Sequence, residues 1–299
     1  MLRGLFLFSV NTKRNHSKVF LPYFCGSQHM TERLSFFSNF IESMLKLTRF
    51  GNLVIIGFSQ YFTARFLIDK QTIHDVRLLL LSVSTVLIAA AGYIINDYYD
   101  VKIDYINKPD RVVIGKNITR RYAIFLHVVL SSLGILMGFY LSLTIGAVNV
   151  LSVFLLWLYS NSLKRLPFVG NLTVAILTGA AIYVVDLLYR THSSLVVIYA
   201  TFAFFMTLVR EIIKDVEDLK GDNTFGCRTL PITFGVRKTK GVIYIILAVF
   251  SLIVLILNTF YEALPFQYYL IFLFIPLMLF LYRLIRADMK KDFSWLSMF

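Results

Sequence analysis

VRLLLLSVSTVLIAAAGYIINDYYDVKID, the stretch from Val76 to Asp104, places a long apolar run directly before a cluster of carboxylates. The run covers about 20 residues, the length that a helix needs to cross a hydrocarbon core of roughly 30 Å. Asp97, Asp100 and Asp104 follow where such a helix should leave the membrane. The stretch therefore predicts a transmembrane helix with an acidic end, and the acids need an explanation.

The whole chain has the composition of a membrane protein. Of its 299 residues, 58% are hydrophobic and 16% are charged, and its mean hydropathy of +0.71 exceeds that of soluble domains. Apolar segments of membrane-spanning length occur at about 48–68, 76–97, 121–142, 144–160, 171–189, 195–213, 240–259 and 267–285. They do not alternate in polarity, which excludes barrel strands. The sequence predicts an all-α, polytopic bundle of eight transmembrane helices.

The net charge of +13 follows the predicted topology and does not indicate a nucleic-acid partner. The loops after the second, fourth and sixth segments hold 15 Lys and Arg, whereas the loops on the other side hold four. Basic residues concentrate in cytoplasmic loops of membrane proteins. We therefore expect an integral protein of a bacterial inner membrane, with the acidic stretches facing the cytoplasm.

The ends of the chain suggest one membrane domain preceded by a tail. Residues 1–43 are irregular, and we expect a tail that is disordered or that precedes a later start at Met30 or Met44; a targeting peptide is the alternative. Residues 44–299 are predicted to form the membrane domain. Cys25 and Cys227 are the only cysteines, so no disulfide framework is indicated.

The acid spacing of the first stretch occurs a second time. KDVEDLKGD, Lys214 to Asp222, repeats the pattern of three and then four residues, at Asp215, Asp218 and Asp222. Like charges at helical spacing repel, and a helix C-terminus already carries negative partial charge. Solvated loop acids are one interpretation, but two matched stretches favour a cation held between them. Carboxylate oxygens suit Mg²⁺, which binds substrate phosphates together with one or two carboxylates.

Basic residues on the same predicted membrane side could bind such a phosphate. They occur in pairs, namely Lys108 with Arg111, Lys164 with Arg165, and Arg210 with Lys214. Ammonium and guanidinium groups stabilise phosphate oxygens as a leaving group gains charge. The alternative for each is a topology signal at a helix end. Pro109, between the first pair, predicts a loop that is not helical.

Three segments resemble motifs of the UbiA superfamily of membrane prenyltransferases. NDYYDVKIDYINKPDR resembles the first Asp-rich motif, REIIKDVEDLKGD with CRTLPITFG resembles the second, and YSNSLKRLPFVGN resembles the loop between them. The resemblance covers about residues 44–285. It implies a helix bundle around a central cavity, Mg²⁺-dependent ionisation of an isoprenyl diphosphate, and transfer of the allyl cation to an acceptor.

The resemblance implies a metal-binding set, and the charge and position of the nearby residues predict the other roles. The metal-binding positions are Asn96, Asp100, Asp104, Asp218 and Asp222. Catalysis would use those four aspartates with Arg111 and Lys164. Substrate binding would use Asn96, Asp97, Lys108, Tyr159, Ser160, Arg165, Arg210, Glu211, Lys214 and Asp215. The family usually has about nine helices rather than eight, and NKPDRVV lacks the second proline common after the arginine.

Several functions stay open at this point. DVEDLKGD followed by RTLPI is most similar to the branch that prenylates geranylgeranylglyceryl phosphate in lipid biosynthesis. Branches that act on an aromatic quinone precursor or a chlorophyll-like acceptor are alternatives. The expected partners are an isoprenyl diphosphate donor, a lipophilic acceptor and membrane lipid. A divalent-cation transporter is the competing class, for which Asp186, within the fifth segment, would be a pathway residue.

Overall fold

A computed structural model of the chain describes residues 39–261 and 270–298. The chain divides into two compact units, Met1–Glu42 and Ser43–Phe299, and the second contains the helical bundle. The predicted tail and Cys25 lie almost wholly outside the described residues, so the predicted domain boundary stays a prediction. The described residues contain no β-strand, and the prediction of an all-α fold is confirmed.

A series of α-helices builds the second unit. They are α1 (Phe50–Phe62), α2 (Val76–Asn107), α3 (Arg120–Leu141), α4 (Leu143–Asn161), α5 (Val169–Tyr189), α6 (Ser194–Glu217), α7 (Leu219–Thr224), α8 (Leu230–Phe234), α9 (Val236–Tyr261), α10 (Ile275–Arg286) and α11 (Lys290–Met298). Short 3₁₀ turns at Pro109–Arg111 and Leu163–Arg165 connect α2 to α3 and α4 to α5.

Six of the described helices are long and apolar enough to cross a membrane: α2 to α6, and α9 over Val236–Leu257. They match six of the eight predicted segments, so the count of eight is not confirmed. The first predicted segment is divided between α1 and a π-helical stretch, Thr63–Ile68. The last begins among residues outside the described ranges and continues as a π-helical stretch before the 12 residues of α10.

Helix α2 is longer than a membrane crossing requires and carries the first acidic motif. Its 32 residues correspond to about 48 Å at 1.5 Å per residue, so it exceeds a hydrocarbon core of roughly 30 Å by several turns. Asp75 caps its start by accepting a hydrogen bond from the backbone N–H of Arg77 at 2.8 Å. The helix ends at Asn107, just before Pro109, as the proline predicts. All three acids of the motif therefore lie on one continuous helix, and its last residues form the 3₁₀ turn.

A buried polar contact fixes α2 against α3 and α4. The Asn149 side chain of α4 donates hydrogen bonds to Ser84 Oγ of α2 at 2.8 Å and to the Gly134 carbonyl of α3 at 2.9 Å. A Cβ at Gly134 would lie 2.6 Å from the Ile88 side chain, so α2 and α3 approach closely only because this residue is glycine. These contacts hold the helix that carries the first motif.

The second acidic motif forms a corner, not one continuous helix. Helix α6 ends at Glu217, Asp218 takes a non-helical ψ of 5°, and α7 begins at Leu219. After α7, the backbone N–H of Arg228 donates to the carbonyl of Arg165 at 2.8 Å. The corner is thereby attached to the turn between α4 and α5, which belongs to the third sequence motif.

Candidate active site

The two acidic motifs meet at the end of α2. Lys108 Nζ lies 2.6 Å from Asp218 Oδ2, which joins the residue after α2 to the corner between α6 and α7. The Asn107 side chain also contacts the backbone of that corner. Residues more than 100 positions apart in the chain thus form one group, as the repeated spacing suggested.

Lys164 brings the third motif to the same place. Its Nζ lies 2.5 Å from Asp100 Oδ1, and the two side chains are only 10% and 15% exposed. The 3₁₀ turn that carries Lys164 depends on Gly170, where a Cβ would lie 2.8 Å from the Lys164 Cα. Close packing of this turn on the start of α5 therefore directs the ammonium at the first motif.

Two acids of the motifs have partners that the sequence did not reveal. Arg49, in the turn before α1, donates to Asp97 Oδ1 at 2.9 Å. Asn171, in the first turn of α5, donates to Asp215 Oδ2 at 2.9 Å. Both are polar residues at the edge of an apolar segment, and that position was the one feature of the sequence that could have indicated a role in the site. The expected substrate-binding acids Asp97 and Asp215 are thus held by residues at the starts of α1 and α5.

The basic residues of α6 belong to a local group around Glu211. Lys214 Nζ lies 3.0 Å and Arg210 Nη1 3.1 Å from Glu211 Oε1. Arg210 Nε also donates to the backbone carbonyl of Ser297 in α11 at 3.1 Å. The structure therefore brings Glu211 and Lys214 together, and it attaches the exposed Arg210 to the C-terminal helix.

The remaining predicted site residues differ in accessibility. Asp104 and Tyr159 are half-buried. Ser160 is buried, and its hydroxyl donates to the Leu156 carbonyl of its own helix at 2.8 Å. Arg111 and Arg165 are both exposed on their 3₁₀ turns. Their predicted roles, like those of the other site residues, stay predictions.

The oxygen atoms of the motifs fit a hard divalent cation. Among the described residues, no three His, Cys, Asp or Glu side chains are already arranged as a metal-binding group. Within the same residues, Asn96 Oδ1 and Asp218 Oδ1 are buried and lack a hydrogen-bond partner. An unpaired buried oxygen is costly. One such atom in each motif, beside further carboxylates, is a donor set that Mg²⁺ prefers.

The electrostatics of Asp222 support the same arrangement. Burial raises the pKa of this carboxyl in α7 to about 7, and the negative charges of Asp218 and Asp100 contribute to that rise. Lys108 and Lys164 act in the opposite direction but do not offset these effects. Carboxylates of both motifs therefore repel one another, and a cation between them would relieve that repulsion.

Asp186 does not behave as a residue of an ion pathway. It lies near the end of α5, where its Oδ1 accepts hydrogen bonds from Thr191 Oγ1 at 2.6 Å and from the Ser193 backbone at 3.0 Å. These bonds close the turn between α5 and α6. The structure gives this buried acid hydrogen bonds that close a turn, and Asp186 was the one acid that the sequence offered as a pathway residue within a span.

Fold and site together define an integral membrane enzyme with a polar site of acids and lysines at one end of a helical bundle. Residues 58–299 match the model of the UbiA prenyltransferase family. The chain belongs to the UbiA prenyltransferase family, and the resemblance of the three motifs is confirmed.

Two similar proteins are archaeal enzymes named digeranylgeranylglyceryl phosphate synthase. The protein of Methanosphaera stadtmanae is 40% identical over 165 residues, 55% of this chain and 60% of that protein. The protein of Sulfurisphaera tokodaii is 32% identical over 253 residues, 84% of this chain and 90% of that protein. The first match thus covers somewhat more than half of its relative, and the second covers nearly all.

Solved structures have the same fold. One, described as giving insights into digeranylgeranylglyceryl phosphate synthase in membranes, has a TM-score of 0.66 and 26% identity and covers 86% of this chain and 91% of its own. A UbiA homologue from Archaeoglobus fulgidus, bound to DMAPP and Mg²⁺, has a TM-score of 0.64 and 18% identity and covers 85% of this chain and 95% of its own. The second likeness shows the fold alone.

Proposed function

We propose that this prenyltransferase moves a geranylgeranyl group from its diphosphate to geranylgeranylglyceryl phosphate within the membrane. The observation that carries the proposal is the meeting of the two acidic motifs with Lys108 and Lys164 at one end of the bundle. The names of the archaeal relatives support the choice of acceptor. The Archaeoglobus homologue, which binds an isoprenyl diphosphate, supports the choice of donor.

Asn96, Asp100, Asp104, Asp218 and Asp222 would hold Mg²⁺. The proposal rests on the unpaired buried oxygens of Asn96 and Asp218, and the Mg²⁺ bound by the Archaeoglobus homologue supports it. When bound, the metal would neutralise the negative charge that develops on the diphosphate. The carboxylates would thereby gain a partner in place of their mutual repulsion.

Lys108 and Lys164 would bind the departing diphosphate. Each ammonium now pairs with a carboxylate, and each has three donors with which to contact phosphate oxygens. Such contacts strengthen as the bond between C1 and oxygen breaks, because its electron pair leaves with the diphosphate. The acceptor hydroxyl then attacks C1, and its proton passes to the released diphosphate. Arg111 stays a predicted additional donor on its exposed turn.

Aromatic rings of α2, Tyr93 and Tyr99, would help to stabilise the allyl cation. Lys164 Nζ lies 6.0 Å from the centre of the Tyr99 ring, and the Arg49 guanidinium lies 4.9 Å from that of Tyr93. Ring faces attract cations in an environment that excludes water. These rings already face positive charge, and Tyr159 of α4 is the aromatic residue that the sequence predicted for the same task.

An acceptor screen tests the proposed substrate. Purified protein receives geranylgeranyl diphosphate and Mg²⁺ with geranylgeranylglyceryl phosphate, dihydroxynaphthoate or a chlorophyll precursor, and products are identified by mass. We expect the diether product with the first acceptor. If product forms only with an aromatic or chlorophyll-like acceptor, the proposed acceptor is wrong, but the protein is still a prenyltransferase. Mg²⁺ uptake into vesicles without transfer would favour a transporter.

We infer that the chain is oriented with its motif end in the cytoplasm. The charge distribution supports this orientation, because 15 Lys and Arg lie in the loops and adjoining helix ends on the motif side and four on the other. The named relatives are archaeal, so the bacterial location stays a prediction. The orientation itself would be the same in either kind of cell membrane.

Cysteine labelling tests this orientation. In a background without the two native cysteines, Lys220→Cys should react with a membrane-impermeant reagent only from the cytoplasmic side. Thr259→Cys, near the opposite end of α9, should react only from the other side, and both positions are exposed. A reversed pattern, or reaction of both from one side, would contradict the inferred topology.

A further inference from the structure

Asn107, the last residue of α2, makes a two-sided contact with the corner that carries the second motif. Its Nδ2 donates to the backbone carbonyl of Asp218 at 3.2 Å, and its Oδ1 accepts from the backbone N–H of Gly221 at 2.9 Å. A side-chain amide offers one donor group and one acceptor, like a peptide group. Asn107 therefore binds this corner as a neighbouring backbone would.

The contact supplies a cap that α7 lacks in its own sequence. The first N–H groups of a helix have no partner within it, and a side chain just before the helix usually provides one. Asp218 occupies that position but makes no capping hydrogen bond with its side chain. Asn107 satisfies the Gly221 N–H instead, so a residue of α2 caps α7 across the junction of the two motifs.

Gly221 leaves space for the side chain of Asn107 because it has no Cβ. A Cβ at Gly221 would lie 2.4 Å from both Asn107 Nδ2 and Oδ1, far closer than real contacts allow. Gly221 is not among the glycines with positive φ, which are Gly115, Gly226 and Gly235. The position therefore needs glycine for space and not for backbone conformation. The amide of Asn107 fills that space.

We propose that Asn107 is a positioning residue that holds Asp218 and Asp222 in register with the acids of α2. The inference rests on the proposed function, because register matters only if both motifs act on one ligand. Lys108 also joins the motifs, but its ammonium would turn to the diphosphate when substrate binds. The neutral contact of Asn107 involves only backbone groups of the corner, so it persists through that exchange.

The first experiment compares Asn107→Ala with Asn223→Ala in the purified full chain. Asn223 is an exposed asparagine of α7 and serves as the matched control. Hydrogen exchange of the 219–224 segment reports the contact, and the Mg²⁺ concentration that gives half-maximal thermal stabilisation reports metal binding. For Asn107→Ala we expect hydrogen exchange of this segment to be about tenfold faster, because the contact that protects it is lost. We also expect Mg²⁺ binding to weaken and kcat to fall by about 10- to 100-fold each, as for lost supporting contacts at metal sites. The donor KM should change less than about threefold.

A second pair of variants tests the packing of Gly221. Gly221→Ala should reproduce the loss caused by Asn107→Ala, because the added methyl displaces the amide. In the Asn107→Ala background the same substitution should have almost no further effect, since the space is then free; strong non-additivity of this kind marks direct contact. Additive losses from the two substitutions would overturn the contact.

The outcomes separate this inference from the proposed function. If the wild type transfers the prenyl group and Asn107→Ala binds Mg²⁺ and turns over like Asn223→Ala, only the positioning role is wrong. Faster exchange with unchanged Mg²⁺ binding and kcat also overturns the positioning role, because the contact would then be structural only. If the wild type neither binds Mg²⁺ nor transfers, the proposed function fails, and the positioning role fails with it.

Discussion

Replacing Asp218 with asparagine should lower the single-turnover rate of prenyl transfer by on the order of a thousandfold or more. Asp218 has one buried oxygen without a partner and one paired with Lys108, so it serves both the proposed metal and the lysine. Asparagine keeps the shape of the side chain but loses the charge. The protein should stay folded, because the substitution also removes repulsion with Asp222.

Glu217→Gln provides the control for this variant. Glu217 is the adjacent acid, and its carboxylate accepts a hydrogen bond from Ser297 Oγ at 3.3 Å, away from the contacts that join the motifs. Its rate should stay within about threefold of wild type, as expected for a charge outside the site. Both rates are measured on monodisperse protein. Equal losses in the two variants would show that the total negative charge of the corner matters, and would contradict a specific role of Asp218 as a metal ligand.

Lys164→Ala should lower the same rate by on the order of a hundredfold, the scale of losing one preorganised donor to a developing anion. The Lys164 side chain is almost fully buried against Asp100, so its ammonium is already shielded from water and oriented before substrate binds. A contact that strengthens in the transition state affects kcat more than KM. A topology signal would instead lower the amount of inserted protein and leave the rate of each inserted molecule unchanged.

Arg121→Ala is the matched control for Lys164→Ala. Arg121 is exposed in the first turn of α3 and shares the predicted membrane side. Its rate per folded enzyme should change less than about threefold. Arg111→Ala tests the remaining sequence prediction, since a hundredfold loss there would show that this exposed residue reaches the diphosphate. Similar losses in all three variants would show that these residues stabilise the helical bundle and do not donate hydrogen bonds to the diphosphate.

The sequence correctly predicted those features of the site that depend on helical periodicity. The spacing of Asn96, Asp100 and Asp104 places them on one face of a helix, and α2 is indeed helical through Asn107. Pro109 marked the end of that helix. The UbiA motifs predicted that the three segments belong to one site, and the pairs of Lys108 with Asp218 and of Lys164 with Asp100 show that all three meet.

Features that depend on tertiary contacts were beyond the sequence. Nothing local indicates that Arg49 pairs with Asp97, because their separation of 48 residues is bridged only by helix packing. The break at Asp218 has no proline or glycine at that residue, and the corner is held by Asn107 from another helix. Hydropathy also could not show that π-helical turns interrupt the first and last predicted spans.

Transfer by the purified full chain is the decisive measurement. Labelled geranylgeranyl diphosphate and geranylgeranylglyceryl phosphate are supplied with Mg²⁺ or with EDTA, and both diphosphate and diether are quantified. The structure predicts equal amounts of the two products with Mg²⁺, almost none with EDTA, and almost none from Asp218→Asn under either condition. Full transfer in EDTA, or full transfer by Asp218→Asn, would contradict a metal-dependent site built from the two acidic motifs.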